Sequence, residues 1–373
     1  MFCGENCMDN KIKVLVVDDS ALMRKLLSKI LESDPAIEVI GTAPDGAFAL
    51  KKIAGLKPDV VTLDVEMSGM DGITALQHIM HDHPLPVVII SSLTQEGAET
   101  TVECLELGAI DFVPKPSGTI SLDIERQAQK IISKVKDAAL VNPAKLKVRK
   151  SIRTIHLLAQ EETWPLPEPD TKLGKAVVIG ISTGGPQSLI DMLPLLPADF
   201  PAPVFLVQHM PSGFTKSFAD RLNSICRIKV EEAKSGEVVQ SGKVYVAPGG
   251  IHLSVAKRGL GEGAITHISS EPGNASNKPS VDVMMISAAK LYGKNTVGVI
   301  MTGMGNDGTA GMKMIKSKGG RTIAQDENSS VIFGMPNSAI QANCVDTIRP
   351  LHEIPSAIMQ ALEYKNKRIT ELS

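Results

Sequence analysis

The chain has 373 residues, enough for two domains that each bury a core, and a formal net charge of −2 with only 3% aromatic residues; that balance lacks the basic, aromatic-interleaved face of a nucleic-acid binder. Its five cysteines, Cys3, Cys7, Cys104, Cys226 and Cys344, are scattered, odd in number and never spaced C-x-x-C, which fits a reducing compartment and argues against a zinc site. The polar start has no signal-peptide core and no apolar run approaches the ~18 residues of a membrane span, so a cytoplasmic protein without membrane insertion is expected.

Residues 1–10 read as a disordered lead. From 11 to 138, apolar runs at Ile12–Val17, Ile37–Thr42, Val60–Leu63, Val87–Ile90 and Ile110–Val113 alternate with helix-period segments. Five βα units in that length predict a doubly wound, flavodoxin-like parallel sheet. Reactive groups in such sheets gather beyond the carboxyl ends of the strands. Asp18 and Asp19 end the first strand, Asp64 the third and Ser91 the fourth, and Lys115 follows the fifth. Three carboxylates at one edge repel one another unless a cation balances them, and oxygen-only ligation favours Mg²⁺. A metal-neutralised aspartate can accept a phosphoryl group, with Lys115 balancing charge on the transferred oxygens and Ser91 hydrogen-bonding one of them. Taken singly, Asp18 and Asp19 also suit a helix cap beside Ser20, and Lys115 a solvated loop.

Val-Val-Asp18-Asp19-Ser, Leu-Asp64-Val-Glu-Met-Ser-Gly-Met-Asp71-Gly72, Ser91-Ser92 and Pro-Lys115-Pro together resemble a response-regulator receiver domain over nearly all of 11–138. The resemblance implies phosphorylation of Asp64 by a histidine kinase. It further implies Mg²⁺ held by Asp18, Asp19, Asp64 and the backbone of Glu66, and switch positions at Ser91, Phe112 and Lys115. Ser68 departs from the proline usual in the loop after the phosphoacceptor; that loosens the loop and removes no chemical group.

Between 139 and 172 the periodicity fades. Trp164-Pro-Leu-Pro-Glu-Pro169 is an extended, semi-rigid stretch suited to a hinge, and its tryptophan is a candidate for packing at a domain interface. Lys145, Lys147, Arg149, Lys150 and Arg153 make the segment basic, most simply as a solvated tether.

A second α/β domain is expected over 173–365, doubly wound on a mainly parallel sheet, with 366–373 as a tail. Val-Val-Ile-Gly180-Ile-Ser182-Thr-Gly184-Gly185-Pro186 reads as strand, sharp turn and helix start, with Pro186 in the first helical turn. Glycines two before and two after Ser182 match the G-x-S-x-G elbow, which leaves room for a strained backbone and an exposed Oγ. The plainer alternative is a helix cap by Ser182 or Thr183. Val204–Gln208 delivers His209 at the same sheet edge, and Thr296-Val-Gly-Val-Ile-Met-Thr-Gly303 leads to Asp307. Acyl transfer needs this set: His209 to take and return the Ser182 proton, and Asp307 to fix the imidazole tautomer. His252 and His267 are rival bases, placed by the sequence in a β-like stretch away from those strand ends. Gly303-Met-Gly305-Asn-Asp-Gly308 also fits G-x-G-x-x-G, with Asp326 at the distance of a ribose-binding acid. On that alternative the second half is a non-catalytic nucleotide-binding module; Asp307 in a turn meant for pyrophosphate speaks against it.

Gly180-Ile-Ser182-Thr-Gly-Gly, Gln208-His209-Met-Pro-Ser-Gly-Phe214, Ala247-Pro-Gly-Gly, Pro279-Ser-Val-Asp282-Val and Thr302-Gly-Met-Gly-Asn-Asp307-Gly resemble the catalytic domain of chemotaxis protein-glutamate methylesterases, over 175 to about 345. The resemblance implies Ser182 as nucleophile, His209 as base and Asp307 as third member, acting without a cofactor on glutamate γ-methyl esters of chemoreceptors and also deamidating receptor glutamines. It implies a receiver that covers the Ser182 cleft until Asp64 is phosphorylated. Asn277-Lys278 stands where the family often has arginine, which bears on receptor docking and not on the three reacting groups.

Overall fold

The computed structural model describes residues 11–116, 122–146, 173–259 and 263–364, and the chain divides into two compact units, 1–150 and 151–373. The cysteines at 3 and 7, the basic residues from 147 to 153 and the Trp164 segment lie outside the described residues.

In the first unit, β1 (Ile12–Val17), α1 (Ala21–Glu32), β2 (Ile37–Ala43), α2 (Gly46–Leu56), β3 (Val60–Asp64), α3 (Gly72–Asp82), β4 (Val87–Ser91), α4 (Gln95–Leu107), β5 (Asp111–Pro114) and α5 (Leu122–Ala139) alternate without interruption. The sheet order is β2-β1-β3-β4-β5 and every pairing is parallel. Every residue of β3 and β4 is buried, as expected of strands covered on both faces. The helices start where sequence chemistry dictates: Ser20, Asp45, Asp71 and Thr94 accept the N–H of Met23, Phe48, Thr74 and Gly97, satisfying a donor left open by the first turn. The fifth strand begins one residue later than predicted, with Asp111 set opposite Val88. Strand order reverses at β1, which lies between β2 and β3, so the loops after β1 and β3 open onto one crevice.

The second unit contains β6 (Ala176–Ile181), α6 (Gly185–Met192), β7 (Val204–Gln208), α7 (Thr215–Ile225), β8 (Lys229–Glu232), β9 (Lys243–Val246), an antiparallel hairpin of β10 (His252–Lys257) and β11 (Ala264–Ser269), α8 (Val281–Tyr292), β12 (Thr296–Ile300), α9 (Thr309–Ser317), β13 (Arg321–Gln325), α10 (Met335–Gln341), β14 (Thr347–Arg349) and α11 (Ile354–Ala361). Seven strands form one sheet in the order β14-β13-β12-β6-β7-β9-β8, parallel throughout. The reversal here falls at β6, between β7 and β12.

Met284 and Met285 of α8, Met312 and Ile315 of α9, and Phe205 and Tyr245 of the sheet share one core. The two aromatic rings stack with centroids 5.6 Å apart, and the unbranched thioethers fill the irregular space between helices and sheet. Close approach of α8 to β6 depends on Gly180, where a Cβ would lie 2.2 Å from Val281 Cγ1. Among the described residues Cys104 and Cys344 are buried, Cys226 is half-buried, and all three are free thiols. No helix among the described residues is long and apolar enough to cross a membrane.

Candidate active site

Three loops meet at the β6 reversal. Ser182 leaves the end of β6, donating its N–H to Thr302 O (2.9 Å) beyond β12 while its own carbonyl accepts from Gly185 N (2.7 Å) at the start of α6. His209 follows β7, and its N–H donates to Ile181 O (3.1 Å). Asp307 lies on the loop between β12 and α9. The parallel register thus sets the backbones of residues 182 and 209 side by side, and the imidazole reaches the third residue directly: His209 Nε2–H donates to Asp307 Oδ2 at 2.8 Å. Ser182 is 5% exposed, and the His209 and Asp307 side chains are each 11% exposed. With Nε2–H engaged in that hydrogen bond, the neutral tautomer carries its lone pair on Nδ1.

Asp307 is anchored at the N-terminus of α8. Its Oδ1 accepts from Ser280 Oγ (2.9 Å) and Asp282 N (3.0 Å), and its Oδ2 also accepts from Val281 N (2.8 Å). Those N–H groups have no intrahelical partner, and the helix end favours negative charge. Burial works to raise the pKa of Asp307, but the His209 hydrogen bond and charge, then the Asp282 and Val281 N–H groups, outweigh it and hold it below the usual carboxylate value. The carboxylate is therefore ionised where an imidazolium would form.

The expected elbow is only partly of the expected kind. Pro186 falls in the first turn of α6, but Ser182 does not adopt a left-handed conformation; positive φ falls on Gly184 (φ +75°), and Gly180 serves packing. His252 is not remote from the site. It is buried, its Nδ1 accepts from Ser280 N (3.1 Å), and its Nε2–H donates to Pro272 O (3.3 Å). Both ring nitrogens are thus committed to backbone groups, and His252 braces the residue that holds Asp307 rather than acting as a base. His267 is exposed on β11. Lys278 donates from Nζ to Ser270 O (3.0 Å) within the adjoining loop. Ser280 and Gln208 stand inside sequence motifs that by themselves assign them no role. The signal for Ser280 was present: a cap residue directly before the apolar run from Val281.

The nucleotide-binding alternative fails on neighbouring contacts. The helix that opens after this loop is α9, where Gly311 N already donates to Asp282 Oδ1 (2.7 Å), and Asp326 spends its carboxylate on Ser329, accepting from its N–H (3.0 Å) and hydroxyl (2.5 Å).

In the first unit, ligand oxygens of Asp18, Asp19 and Asp64 lie within 4.8 Å of one another, with Asp18 and Asp64 buried and Asp19 exposed. Lys115 Nζ donates to Asp64 Oδ2 at 2.7 Å and lies 4.0 Å from Asp18 Oδ2. Asp64 Oδ1 accepts from Glu66 N (3.2 Å). Burial pushes Asp64 up to about 6, opposed by the Lys115 hydrogen bond and reinforced by the charge of Asp18. Asp18 is raised chiefly by burial, against the N–H of Ser20. Burial lowers Lys115, but the Asp64 hydrogen bond and charge leave it above its usual value. Asp18 Oδ2 is fully buried with no hydrogen-bond partner. An oxygen-only cluster with an orphaned buried acceptor suits a hard divalent cation such as Mg²⁺. Ser91 sits at the end of β4 as expected, with its hydroxyl turned to α4: it donates to Gly97 O (3.1 Å) and accepts from Thr101 Oγ1 (2.7 Å). Phe112 is buried on β5.

Comparison with known proteins covers both units. The response regulator receiver domain family matches residues 14–124 and the CheB methylesterase family residues 177–358. A protein-glutamate methylesterase/protein-glutamine glutaminase from Pyrococcus horikoshii is 50% identical over 356 residues, 95% of each chain. One of the same name from Geobacillus kaustophilus is 49% identical over 94% of this chain and 99% of its own. Among solved structures, the Thermotoga maritima CheB methylesterase catalytic domain is 43% identical over 52% of this chain and 99% of its own, with a TM-score of 0.49. The response regulator domain of Thermotoga maritima CheB is 48% identical over 36% of this chain and all of its own, with a TM-score of 0.33. With half of its residues shared across nearly full length, this chain belongs to the CheB-type protein-glutamate methylesterase/protein-glutamine glutaminase family, a receiver domain followed by a methylesterase domain.

Proposed function

We propose that the second unit hydrolyses glutamate γ-methyl esters on chemoreceptors, and deamidates receptor glutamines, with Ser182 as nucleophile. Ser182 Oγ attacks the γ-carbonyl carbon as His209 Nδ1 takes its proton, giving a tetrahedral intermediate. Its collapse breaks the bond to methoxide, which leaves as methanol with the proton from His209; for a glutamine the leaving group is ammonia. Water, deprotonated by His209, then cleaves the acyl-enzyme to free glutamate and restored Ser182. Asp307 stays ionised throughout, fixing the tautomer and balancing the imidazolium. The observation that carries the reading is the 2.8 Å His209–Asp307 pair beside the turn that bears Ser182. Ser182→Ala should abolish methanol release from methylated receptor membranes; retained release refutes the nucleophile assignment.

The first unit is the control element on this reading. Asp64 accepts a phosphoryl group from a histidine kinase, Lys115 meets its charge, and Ser91 and Phe112 respond to it. Asp18, Asp19, Asp64 and the Glu66 backbone would hold Mg²⁺, which supplies charge neutralisation at the transferred oxygens when bound. Phosphorylation shifts the protein toward its active form by about 1–3 kcal/mol, the usual range of coupling between sites. Asp64→Asn should keep basal methanol release and lose its stimulation by a small-molecule phosphodonor; stimulation that survives places the switch elsewhere. On this reading the enzyme acts on the receptors from the cytoplasmic side.

A further inference from the structure

Gln208 is the last residue of β7 and is 2% exposed. Its Nε2 has two hydrogens and gives one to each of two carbonyls, Ser182 O (3.1 Å) and His209 O (3.2 Å). A single side-chain amide therefore ties the backbone of the nucleophile turn to the backbone of the residue that takes its proton. Its Oε1 is fully buried and has no partner. Turning the amide over would set Oε1 against both carbonyls and aim Nε2 into the space where Oε1 has no partner, so the donors fix the orientation. A buried acceptor left unpaired is destabilising, and the fold bears that in order to keep the donors where they are.

Gly185 makes that placement feasible. A Cβ there would lie 2.1 Å from Gln208 Oε1. The glycine after Gly184, read from sequence as part of a turn, is the gap through which the Gln208 side chain passes. The held carbonyl also constrains the next residue. A trans peptide is planar, so fixing Ser182 C=O, which Gly185 N also holds (2.7 Å), fixes the Ser182–Thr183 peptide plane.

We infer that Gln208 is a positioning residue of the esterase reaction, holding Ser182 and His209 in the relative geometry that proton transfer requires. The inference rests on the reading of Ser182 as nucleophile and His209 as base. Misplacement of reacting groups by about 1 Å costs about a hundredfold in rate without weakening substrate binding.

The test uses the full chain, a methylated receptor preparation and a phosphodonor, with kcat and KM for methanol release measured separately. Gln208→Met keeps the volume and removes both donors. It should melt within a few degrees of the parent, keep KM, and lose about a hundredfold in kcat. Gly185→Ala retains the amide but pushes Oε1 aside, and should lower kcat in the same way; it decides the matter if Gln208→Met fails to fold. A folded Gln208→Met chain with kcat within about twofold of the parent overturns the inference, as does a loss confined to KM. Ser182→Ala run in parallel separates the two claims: methanol release surviving that change sinks the nucleophile reading, whereas its loss beside an unaffected Gln208→Met sinks only the positioning role.

Discussion

Three aspartates show how environment rather than residue type sets the charge. Asp307 faces an imidazole and helix N–H groups and is held low, Asp64 is pushed up to about 6 by burial with the charge of Asp18 reinforcing, and Asp137 on α5 is pushed up to about 6 by burial, with Lys134 opposing and Asp111 reinforcing. Their effects on stability have opposite signs. Asp307, with its folded value below the unfolded one, stabilises above the ordinary carboxylate range and loses that contribution as pH falls. Asp137 binds its proton more tightly folded than unfolded. Its contribution is complete below its unfolded value of 3.8 and disappears as pH rises through about 6. Asp137→Asn removes the buried charge, and should stabilise the chain by roughly 2–3 kcal/mol at pH 8 while giving no gain below pH 4. Urea unfolding at the two pH values checks this, and an equal gain at both would show that repacking, not ionisation, is responsible.

At the scale of elements, the N-terminus of α8 holds the carboxylate of Asp307, which belongs to a different segment. Ser280 caps α8 by accepting from Val283 N (3.4 Å) while donating to Asp307 (2.9 Å). Ser280→Ala should therefore lower stability by about 1 kcal/mol through the lost cap. It should also cut kcat roughly tenfold, since Asp307 gives up a hydrogen bond to a charged group. Ser280→Thr keeps the hydroxyl and should restore both; a thermal melt beside methanol-release kinetics would expose a cap-only role by an unchanged kcat. The contact of α8 with β6 is open to a second test. Gly180→Ala should destabilise by about 1–3 kcal/mol through overpacking against Val281. Adding Val281→Ala makes room, so the double variant should be less destabilised than the sum of the singles in urea unfolding; strict additivity would mean the clash is relieved elsewhere.

These elements also show what a reader of the sequence can and cannot reach. The five strands of the first unit lay within a residue of their predicted positions, because each is a mainly apolar run bounded by turn chemistry, buried throughout in β3 and β4 and only partly so in β2. The strand ends bearing Ser182 and His209, and the loop bearing Asp307, were legible for the same reason. β8 was not, since Lys-Val-Glu-Glu at a sheet edge is too polar and too short to stand out from a loop. The brace of His252, Ser280 and Asp307 joins positions 252, 280 and 307, and no local periodicity reports such a contact.

At the scale of the molecule, each site draws only on its own unit among the described residues: Asp18, Asp19, Asp64 and Lys115 in the first, Ser182, His209, Ser280 and Asp307 in the second. Control of one by the other must therefore be a coupling free energy between two separate binding events, and such coupling is reciprocal. The prediction can be made with reversible ligands, which avoids the asymmetry allowed to rate constants. Beryllofluoride with Mg²⁺ mimics an aspartyl phosphate, and a boronic acid forms a reversible tetrahedral adduct with a serine hydroxyl. If phosphorylation of Asp64 favours the active form, saturating beryllofluoride should tighten boronate binding by about 5–150-fold. Saturating boronate should tighten beryllofluoride by the same factor. Asp64→Asn should abolish the first effect and Ser182→Ala the second. Titration calorimetry of each ligand with and without the other measures both arms. Boronate affinity that does not move while the first site is saturated would mean that the two units do not regulate one another through this equilibrium, even if each site binds its own ligand.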